Sequence, residues 1–209
     1  NITFTDGIIG KASEFKGLAS NETSLKYGIS AATYDAFSFA FWFKANSSTQ
    51  INNAGIVFTG KNTENSIRLL YKNNKLIMDL DNEADVVVMN NIDLNWHYIV
   101  INGGTAAGNA DIYLDGASIG STTSEDLSQF TELQFGRDRN KDVTFDGKVD
   151  EVKIYTTRHL TLAEIDNLYN APTDFDGDGI ANADDTDGDN DGVLDDYDAF
   201  PYDARESVD

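Results

Sequence analysis

The sequence contains no cysteine among its 209 residues. This absence excludes disulfide bonds, thiolate-bound metal ions and cysteine nucleophiles. Basic residues are also scarce, since 15 Lys and Arg stand against 36 Asp and Glu and leave a net charge of −21. Such a chain repels phosphate, so we do not expect a nucleic-acid partner.

Long apolar segments are missing as well. No stretch reaches the roughly 18 apolar residues of a transmembrane helix, so we expect no membrane span. The first ten residues, NITFTDGIIG, do not have the charged start and apolar centre of a signal peptide. We therefore interpret the sequence as a segment of a longer protein.

Short stretches of alternating apolar and polar residues fill the body of the chain, residues 1 to 157. In FSFAFWF (37–43) the four Phe side chains fall on one face. Turns rich in Asn and Gly are predicted at 72–76 and 114–118, because these residues tolerate positive φ. Strands this short and frequent are typical of an all-β sandwich or barrel. Further strands are predicted over 66–72, 96–102, 110–116, 132–136 and 147–156.

One segment, TLAEIDNLYN (161–170), has helical periodicity. Thr161 and Glu164 have the spacing of a capping box at its start. An apolar stripe that includes Ile165 follows. We predict a single short helix here, closed by Pro172.

Most of the negative charge lies near the end of the chain, where residues 173–209 hold 13 Asp and one Glu against one Arg. Asp residues recur there at alternating positions, followed by a Gly at the sixth, and the pattern repeats after 13 residues. This is the ligand spacing of twelve-residue EF-hand-type calcium loops. The predicted ligands are Asp174, Asp176, Asp178, Asn182 and Asp185 with the Ile180 carbonyl in the first loop, and Asp187, Asp189, Asp191, Asp195 and Asp198 with the Val193 carbonyl in the second.

Bound Ca²⁺ would explain why so many Asp carboxylates lie close together in this part of the sequence. The ion takes about six to eight oxygen ligands, and the Gly permits the sharp turn that the loop needs. Without a cation, each close pair of carboxylates repels by roughly 1–4 kcal/mol. The alternative is a disordered acidic linker whose charges are simply solvated.

Four pieces of the body, in order, resemble the laminin-G-like, concanavalin A-like jelly-roll family. They are GKASEFKG, FSFAFWFK, the pair NWHYIV and IYLDG, and the closing FDGKVDEVKIYTTRHLTLAEIDNLY. The resemblance implies a jelly-roll sandwich of two antiparallel sheets with one short helix over residues 1–172. This fold hosts lectins, carbohydrate-binding modules, adhesion domains and glycosidases, so it does not decide function.

The tail, residues 173–209, resembles thrombospondin type 3 repeats. No helices are predicted beside its loops, which favours such repeats over a true EF-hand. The resemblance implies an irregular segment that calcium alone holds, because the Cys of the animal repeats is missing. Neighbouring ions in that family share carboxylates, which makes Asp184, Asp196 and Asp203 further candidate ligands.

The jelly-roll resemblance also implies a structural calcium site in the body. Asp150 matches the acidic residue of the closing-strand motif, and the carbonyl of Gly17 is a candidate second ligand. The alternative is that Asp150 caps backbone groups or forms an ion pair.

Candidate sugar contacts are aromatic and basic side chains outside the apolar faces. An aromatic ring can stack on a sugar, and guanidinium groups suit anionic polysaccharides. Ordinary solvated surface is the alternative at each position. The candidates are Tyr113, Arg68, Lys72, and Arg137 and Arg139 of the basic segment 137–142.

Two catalytic signatures are missing, H-E-x-x-H and the E-x-D-x-x-E of jelly-roll glycosidases. We interpret His97 and His159 as structural residues. We therefore expect a non-catalytic, calcium-binding module of a secreted or cell-surface bacterial protein, with a polysaccharide or cell-surface glycan as partner and a calcium-stiffened spacer to neighbouring domains. The alternatives are an adhesion or structural segment that binds protein or no ligand, and a glycosidase or lyase.

Overall fold

The computed structural model describes residues 2–17, 24–60, 67–79, 85–104, 109–123, 129–137, 144–173, 175–176, 178, 180, 185–202 and 204–205. For 29–33, 58–60, 109, 122–123 and 129–131 it describes the backbone but not the side chains. The chain forms two compact units, residues 1–160 and residues 161–209. The boundary predicted from composition, between 172 and 173, remains a prediction.

The first unit consists of short strands. They are β1 (Thr3–Asp6), β2 (Lys11–Lys16), β3 (Leu25–Thr33), β4 (Phe37–Ala45), β5 (Gly55–Gly60), β6 (Arg68–Lys72), β7 (Lys75–Asp79), β8 (Val86–Met89), β9 (Trp96–Gly103), β10 (Asn109–Leu114), β11 (Ala117–Thr123), β12 (Gln129–Phe135) and β13 (Asp146–Tyr155). A seven-stranded sheet has the order β1-β2-β13-β4-β9-β10-β11, and a six-stranded sheet has the order β3-β12-β5-β6-β7-β8. The strands pair antiparallel within both sheets, which confirms the predicted jelly-roll-like sandwich.

Phenylalanine side chains fill the space between the two sheets. Phe37, Phe39, Phe41 and Phe43 alternate along β4, and each is no more than 2% exposed. Phe41 packs edge to face on Phe135 of the opposite sheet, with ring centroids 5.4 Å apart. Burial of each ring stabilises the fold by roughly 2–3 kcal/mol. The predicted inward face of β4 is therefore confirmed.

The other face of β4 is covered too. Ser38 is fully buried and donates its hydroxyl hydrogen to Asn102 of β9 at 2.6 Å. The Leu160 amide donates to the Ser38 hydroxyl at 2.8 Å, and the Leu160 carbonyl accepts from the Asn102 amide group at 2.9 Å. These bonds fasten the segment after β13 to the outer face of the seven-stranded sheet.

Two tight turns have the backbone that the sequence predicts. Asn73 and Asn74 join β6 to β7 with φ of 52° and 63°. Asp115 and Gly116 join β10 to β11 with φ of 51° and 78°. Positive φ at both central residues gives the twist that a two-residue hairpin needs, as in type I′ turns.

The second unit begins with the predicted helix, α1 (Leu162–Asn170). The Glu164 amide donates to the Thr161 hydroxyl at 3.3 Å, and the Thr161 amide donates to the Glu164 carboxylate at 2.8 Å. The predicted capping box is thus confirmed. A short 3₁₀ helix, Asp195–Tyr197, follows in the acidic segment. Within the described ranges, no helix combines the length and apolar character needed to cross a membrane.

Candidate functional site

Two groups of three carboxylates converge in the acidic segment, residues 173–209. In each group, one oxygen from every side chain lies within 4.8 Å of the corresponding oxygens of the other two. Charges this close repel by roughly 1–4 kcal/mol per pair, and a cation bound among them would offset that repulsion. The groups are Asp176, Asp178 and Asp185 of the first predicted loop, and Asp187, Asp189 and Asp191 of the second.

The first loop is shaped by its own carboxylates. Oδ1 of Asp176 accepts a hydrogen bond from the Asp178 amide at 3.0 Å, and Oδ1 of Asp178 accepts from the Ile180 amide at 2.7 Å. Oδ1 of Asp185 accepts from the Asp187 amide at 3.0 Å. Such bonds to the amide two residues ahead are Asx turns, which curl the chain around its side chains.

The same three bonds recur 13 residues later, as the sequence repeat predicts. Oδ1 of Asp189 accepts from the Asp191 amide at 3.2 Å, and Oδ1 of Asp191 accepts from the Val193 amide at 2.8 Å. Oδ1 of Asp198 accepts from the Phe200 amide at 2.8 Å. The repeat in sequence is therefore also a repeat in local structure.

Several of these side chains have a second oxygen that is buried and lacks a hydrogen-bond donor among the described residues. These are Oδ2 of Asp176, Asp191 and Asp198, and Oδ1 of Asp187, whose Oδ2 accepts from the Gly192 amide at 3.1 Å. A buried carboxylate oxygen without a donor costs about 1–3 kcal/mol or more, unless a cation binds it. One oxygen thus shapes the loop while the other is available, and this all-oxygen donor set fits Ca²⁺.

Some predicted ligands lie outside the three-residue groups. Oδ1 of Asp195 accepts from the Gly188 amide at 2.9 Å, which ties the end of the second loop to its start. Asp198 contributes a buried oxygen but is not part of the group. The Ile180 and Val193 carbonyls stay predicted ligands. Asp174, Asn182, Asp184 and Asp203 lie outside the described residues.

The acidic segment buries little apolar surface. The rings of Phe175 and Tyr202 contact each other at 5.5 Å, but Ile180, Leu194 and Phe200 are 46%, 48% and 54% exposed. Ordering the chain costs roughly 1–2 kcal/mol per residue, which so little burial does not offset. Bound ions would add order that the burial of apolar side chains does not supply here.

Asp150 is buried and caps backbone amides of the turn between β1 and β2. Its Oδ2 accepts from the Ile8 and Ile9 amides at 2.9 Å and 3.3 Å, and its Oδ1 accepts from the Glu151 amide at 3.0 Å. A Cβ at Gly7 would collide with Oδ2, so the turn between β1 and β2 packs directly on this carboxylate. These contacts correspond to the capping alternative for Asp150.

Gly17 lies towards the other end of the same strand pair. Its amide donates to the Phe145 carbonyl at 3.1 Å, and Lys16 stands opposite Asp146 in the β2–β13 register. Asp150 lies five positions beyond Phe145, which corresponds to about 16 Å at ~3.3 Å per residue. The fold therefore does not bring Gly17 and Asp150 together at one ion, contrary to what the family resemblance implied.

Three of the predicted basic contacts are engaged or buried. Arg68 forms an ion pair with Asp79 at 2.7 Å, and Lys72 forms one with Asp85 at 2.8 Å. Arg137 is only 8% exposed. Arg139 lies outside the described residues. Contact of these three cations with an anionic polysaccharide stays a prediction.

Tyr113 lies on the outward face of the seven-stranded sheet, as predicted. It pairs with Val100 of β9 and Ser118 of β11, and it is half-buried. Burial, aided by the Asp111 carboxylate, raises the pKa of the Tyr113 hydroxyl. Tyr113 remains a candidate contact.

His97 is held between two carboxylates. Its Nδ1 lies 2.7 Å from Oδ2 of Asp115, and its Nε2 lies 2.9 Å from Oδ1 of Asp93. Burial lowers the pKa of His97, but the hydrogen bonds to Asp115 and Asp93 outweigh this effect and raise the pKa overall. The contacts agree with the structural role predicted for His97.

One stretch with the spacing of a catalytic signature has a different fold. Residues 116–120, GASIG, match the G-x-S-x-G pattern of serine hydrolases. That pattern functions on a strand–turn–helix, whereas here it covers Gly116 of the β10–β11 turn and the start of β11, with Ser118 opposite Tyr113. Both ring nitrogens of His97 contact carboxylates rather than this serine.

A polar cavity of about 260 Å³, which the sequence did not indicate, opens where three connections of the sandwich meet. They are the β4–β5 connection, the β6–β7 turn and the β8–β9 connection. Its buried lining is formed by Tyr71 and Ile92, which are 5% and 4% exposed. Its exposed lining consists of Ser48, Thr49, Asn74 and Asn91. Polar residues in separate loops carry no periodic signal, so only the fold places them together.

Comparison with known protein families assigns the chain to a superfamily. A family model described as the concanavalin A-like lectin/glucanases superfamily matches residues 20–166. The match covers most of the chain, which therefore belongs to this superfamily. No curated protein matches the chain.

Several solved structures share the fold. Domain 4 of AbnA, a GH43 extracellular arabinanase from Geobacillus stearothermophilus in complex with arabinotriose, aligns over 81% of this chain and 81% of its own, with a TM-score of 0.65 and 21% identity. The botulinum neurotoxin serotype G binding domain aligns over 81% of this chain and 44% of its own, with a TM-score of 0.60 and 20% identity. The botulinum neurotoxin DC binding domain in complex with rat synaptotagmin II aligns over 83% and 46%, with a TM-score of 0.59 and 18% identity. At these identities the similarity shows the fold alone.

Proposed function

We propose that the chain is a non-catalytic carbohydrate-binding module of a secreted bacterial protein. The supporting observation is its membership of a lectin and glucanase superfamily, together with a similarly folded arabinanase domain that binds arabinotriose. The partner would be a polysaccharide or a cell-surface glycan.

We infer further that the acidic segment, residues 173–209, is a calcium-bound spacer of the thrombospondin type 3 kind. The repeated Asx turns and the buried, donor-free oxygens support this reading. Asp176, Asp178 and Asp185 would hold one ion, and Asp187, Asp189 and Asp191 a second. Bound calcium would supply charge neutralisation and so allow the acidic loops to stay compact.

A second candidate function is protein binding by an adhesion segment. It is favoured by the similarly folded toxin domain that was solved with rat synaptotagmin II. In this case the sandwich would bind a protein surface, and the acidic segment would still be a calcium-bound spacer.

Titration against a broad polysaccharide panel separates these functions. We expect the calcium-loaded chain to bind at least one of arabinan, xylan, mannan, β-glucan, polygalacturonate and alginate, measured by affinity electrophoresis and calorimetry. Absence of binding across the panel would favour the adhesion function. Release of reducing ends by the purified chain would contradict the non-catalytic assignment.

A further inference from the structure

We infer that the polar cavity beside the β6–β7 turn binds one neutral sugar unit, with Asn74 and Asn91 as hydrogen-bonding contacts. The inference rests on the proposed carbohydrate-binding function and gives that function a location. It uses a different surface from the basic and aromatic positions that the sequence suggested.

The described residues of the cavity lining offer hydrogen bonds but no ionised side chain. Its six described residues provide two hydroxyls, two amides, one phenol and one aliphatic chain. In a chain with a net charge of −21, a surface patch of this kind does not attract cations as carboxylates would. It also lacks the Arg or Lys that would bind an anion. Hydroxyls and amides both donate and accept, which matches the neutral hydroxyls of a sugar.

Tyr71 orients one of the two amides. Its hydroxyl donates to Oδ1 of Asn74 at 2.9 Å. This bond engages the Asn74 side-chain oxygen, so the two N–H donors of the same amide point away from the phenol. A sugar hydroxyl in the cavity would then accept a hydrogen bond from Asn74.

The loops around the cavity are held in place without a ligand. Gln50 is 6% exposed and donates to the carbonyls of Ser47 and Asp146 at 2.8 Å and 2.9 Å. Its own Oε1 accepts from the Asp146 amide at 2.9 Å. On the opposite wall, the Asn73 amide donates to Oδ1 of Asn52 at 3.0 Å. A preformed site reduces the entropy lost on binding.

The size of the cavity limits what enters it. Pockets that enclose a whole drug-sized ligand measure roughly 300–1,000 Å³. A volume of about 260 Å³ lies below that range. One ring of an oligosaccharide, with the rest of the chain outside, therefore fits better than a complete oligosaccharide.

Matched glycine substitutions in one turn test the inference. Asn73 and Asn74 both have positive φ, so Gly preserves the backbone at either position. Only Asn74 of the two lines the cavity. The probe is the best-binding neutral member of the panel, arabinotriose and arabinan being tried first, with the calcium-loaded full chain. We expect Asn74→Gly to weaken binding about tenfold, through one or two lost hydrogen bonds.

Asn73→Gly is the control and is expected to keep wild-type affinity. A second pair compares Asn91→Ala with Asn95→Ala, since Asn95 is exposed but does not line the cavity. Thermal unfolding of every variant checks that a loss of affinity is not a loss of folding. If one cavity variant does not fold, Thr49→Val, which removes only the lining hydroxyl, takes its place.

Each outcome of these binding measurements supports or overturns the proposed sugar site. Weaker binding in the cavity variants alone supports the site. Intact binding in Asn74→Gly and Asn91→Ala overturns the site but leaves the proposed function in place. Tighter binding to alginate or polygalacturonate than to every neutral glycan overturns the neutral class. No binding to any glycan removes the proposed function and the inference together.

Discussion

Aspartate side chains among the described residues have different roles. Asp150 binds backbone amides, Asp93 and Asp115 bind His97, and Asp191 leaves one oxygen without a donor. Residue type alone does not separate these roles, because each depends on what the fold brings to the carboxylate. At Asp150 the family motif implied a metal ion; the structure shows amide donors to its carboxylate, and a metal ion there stays a prediction.

The stability contributed by His97 should depend on pH. Hydrogen bonds to Asp115 and Asp93 raise the pKa of His97 in the folded state despite burial. Its contribution is therefore fully present below the unfolded pKa of about 6.5, and it is lost as pH rises through the higher folded value. Relative to His97→Gln, the wild type should lose unfolding free energy as pH rises above about 6.5, the ordinary pKa of histidine. Urea unfolding at several pH values measures this, and a pH-independent difference would contradict the account.

Removing the Asp150 carboxylate should destabilise the sandwich. Asp150→Ala leaves three amides without their acceptor, and we expect a loss of about 3 kcal/mol in unfolding free energy. Asp150→Asn keeps one acceptor oxygen and should lose less. Both losses should be the same with and without chelator, as measured by urea unfolding. A chelator effect seen in the wild type but not in Asp150→Asn would mean that Asp150 holds an ion.

Elements with a strong local pattern are the ones that the sequence predicts. The alternating Phe residues of β4 and the capping box of α1 appear in the structure as expected. The position of β13 between β2 and β4 depends on pairing between distant segments, which no local pattern specifies. The acidic loops were predictable because their spacing is local, but the cavity was not, because three separate connections form it.

In the second calcium loop, the negative charge of Asp191 should affect calcium affinity more than its hydrogen bond does. Asp191→Asn retains an oxygen to accept from the Val193 amide but removes a negative charge from the cluster. Because ligand charge sets calcium affinity, we expect about a tenfold or larger loss at this loop. Asp166→Asn is the control, since Asp166 is exposed on α1 and belongs to neither predicted calcium loop. Calcium titration by calorimetry compares them, and equal losses would count against the assigned ligands.

Across the whole molecule, charge and apolar burial are distributed unequally. The sandwich has its own core of buried Phe, Ile and Leu side chains, whereas the acidic segment combines most of the net charge with exposed apolar residues. The two units should therefore respond differently to loss of calcium.

Chelation should release the acidic segment and spare the sandwich. Without cations, repulsion among its carboxylates would favour an open chain. Limited proteolysis in chelator should cleave within residues 173–209 and leave a stable fragment that contains residues 1–160. In millimolar calcium the same sites should be protected. Equal cleavage of the acidic segment in both conditions would contradict a calcium-dependent structure.

The most direct test of the central claim is a count of bound calcium. Equilibrium dialysis of the metal-stripped chain against calcium, up to a few millimolar, gives both the number of ions and their affinity. The two carboxylate groups predict at least two ions per chain, with dissociation constants of roughly 0.1–1 mM as in other extracellular modules. Fewer than two bound ions at millimolar calcium would show that the repeated aspartate loops are not calcium sites.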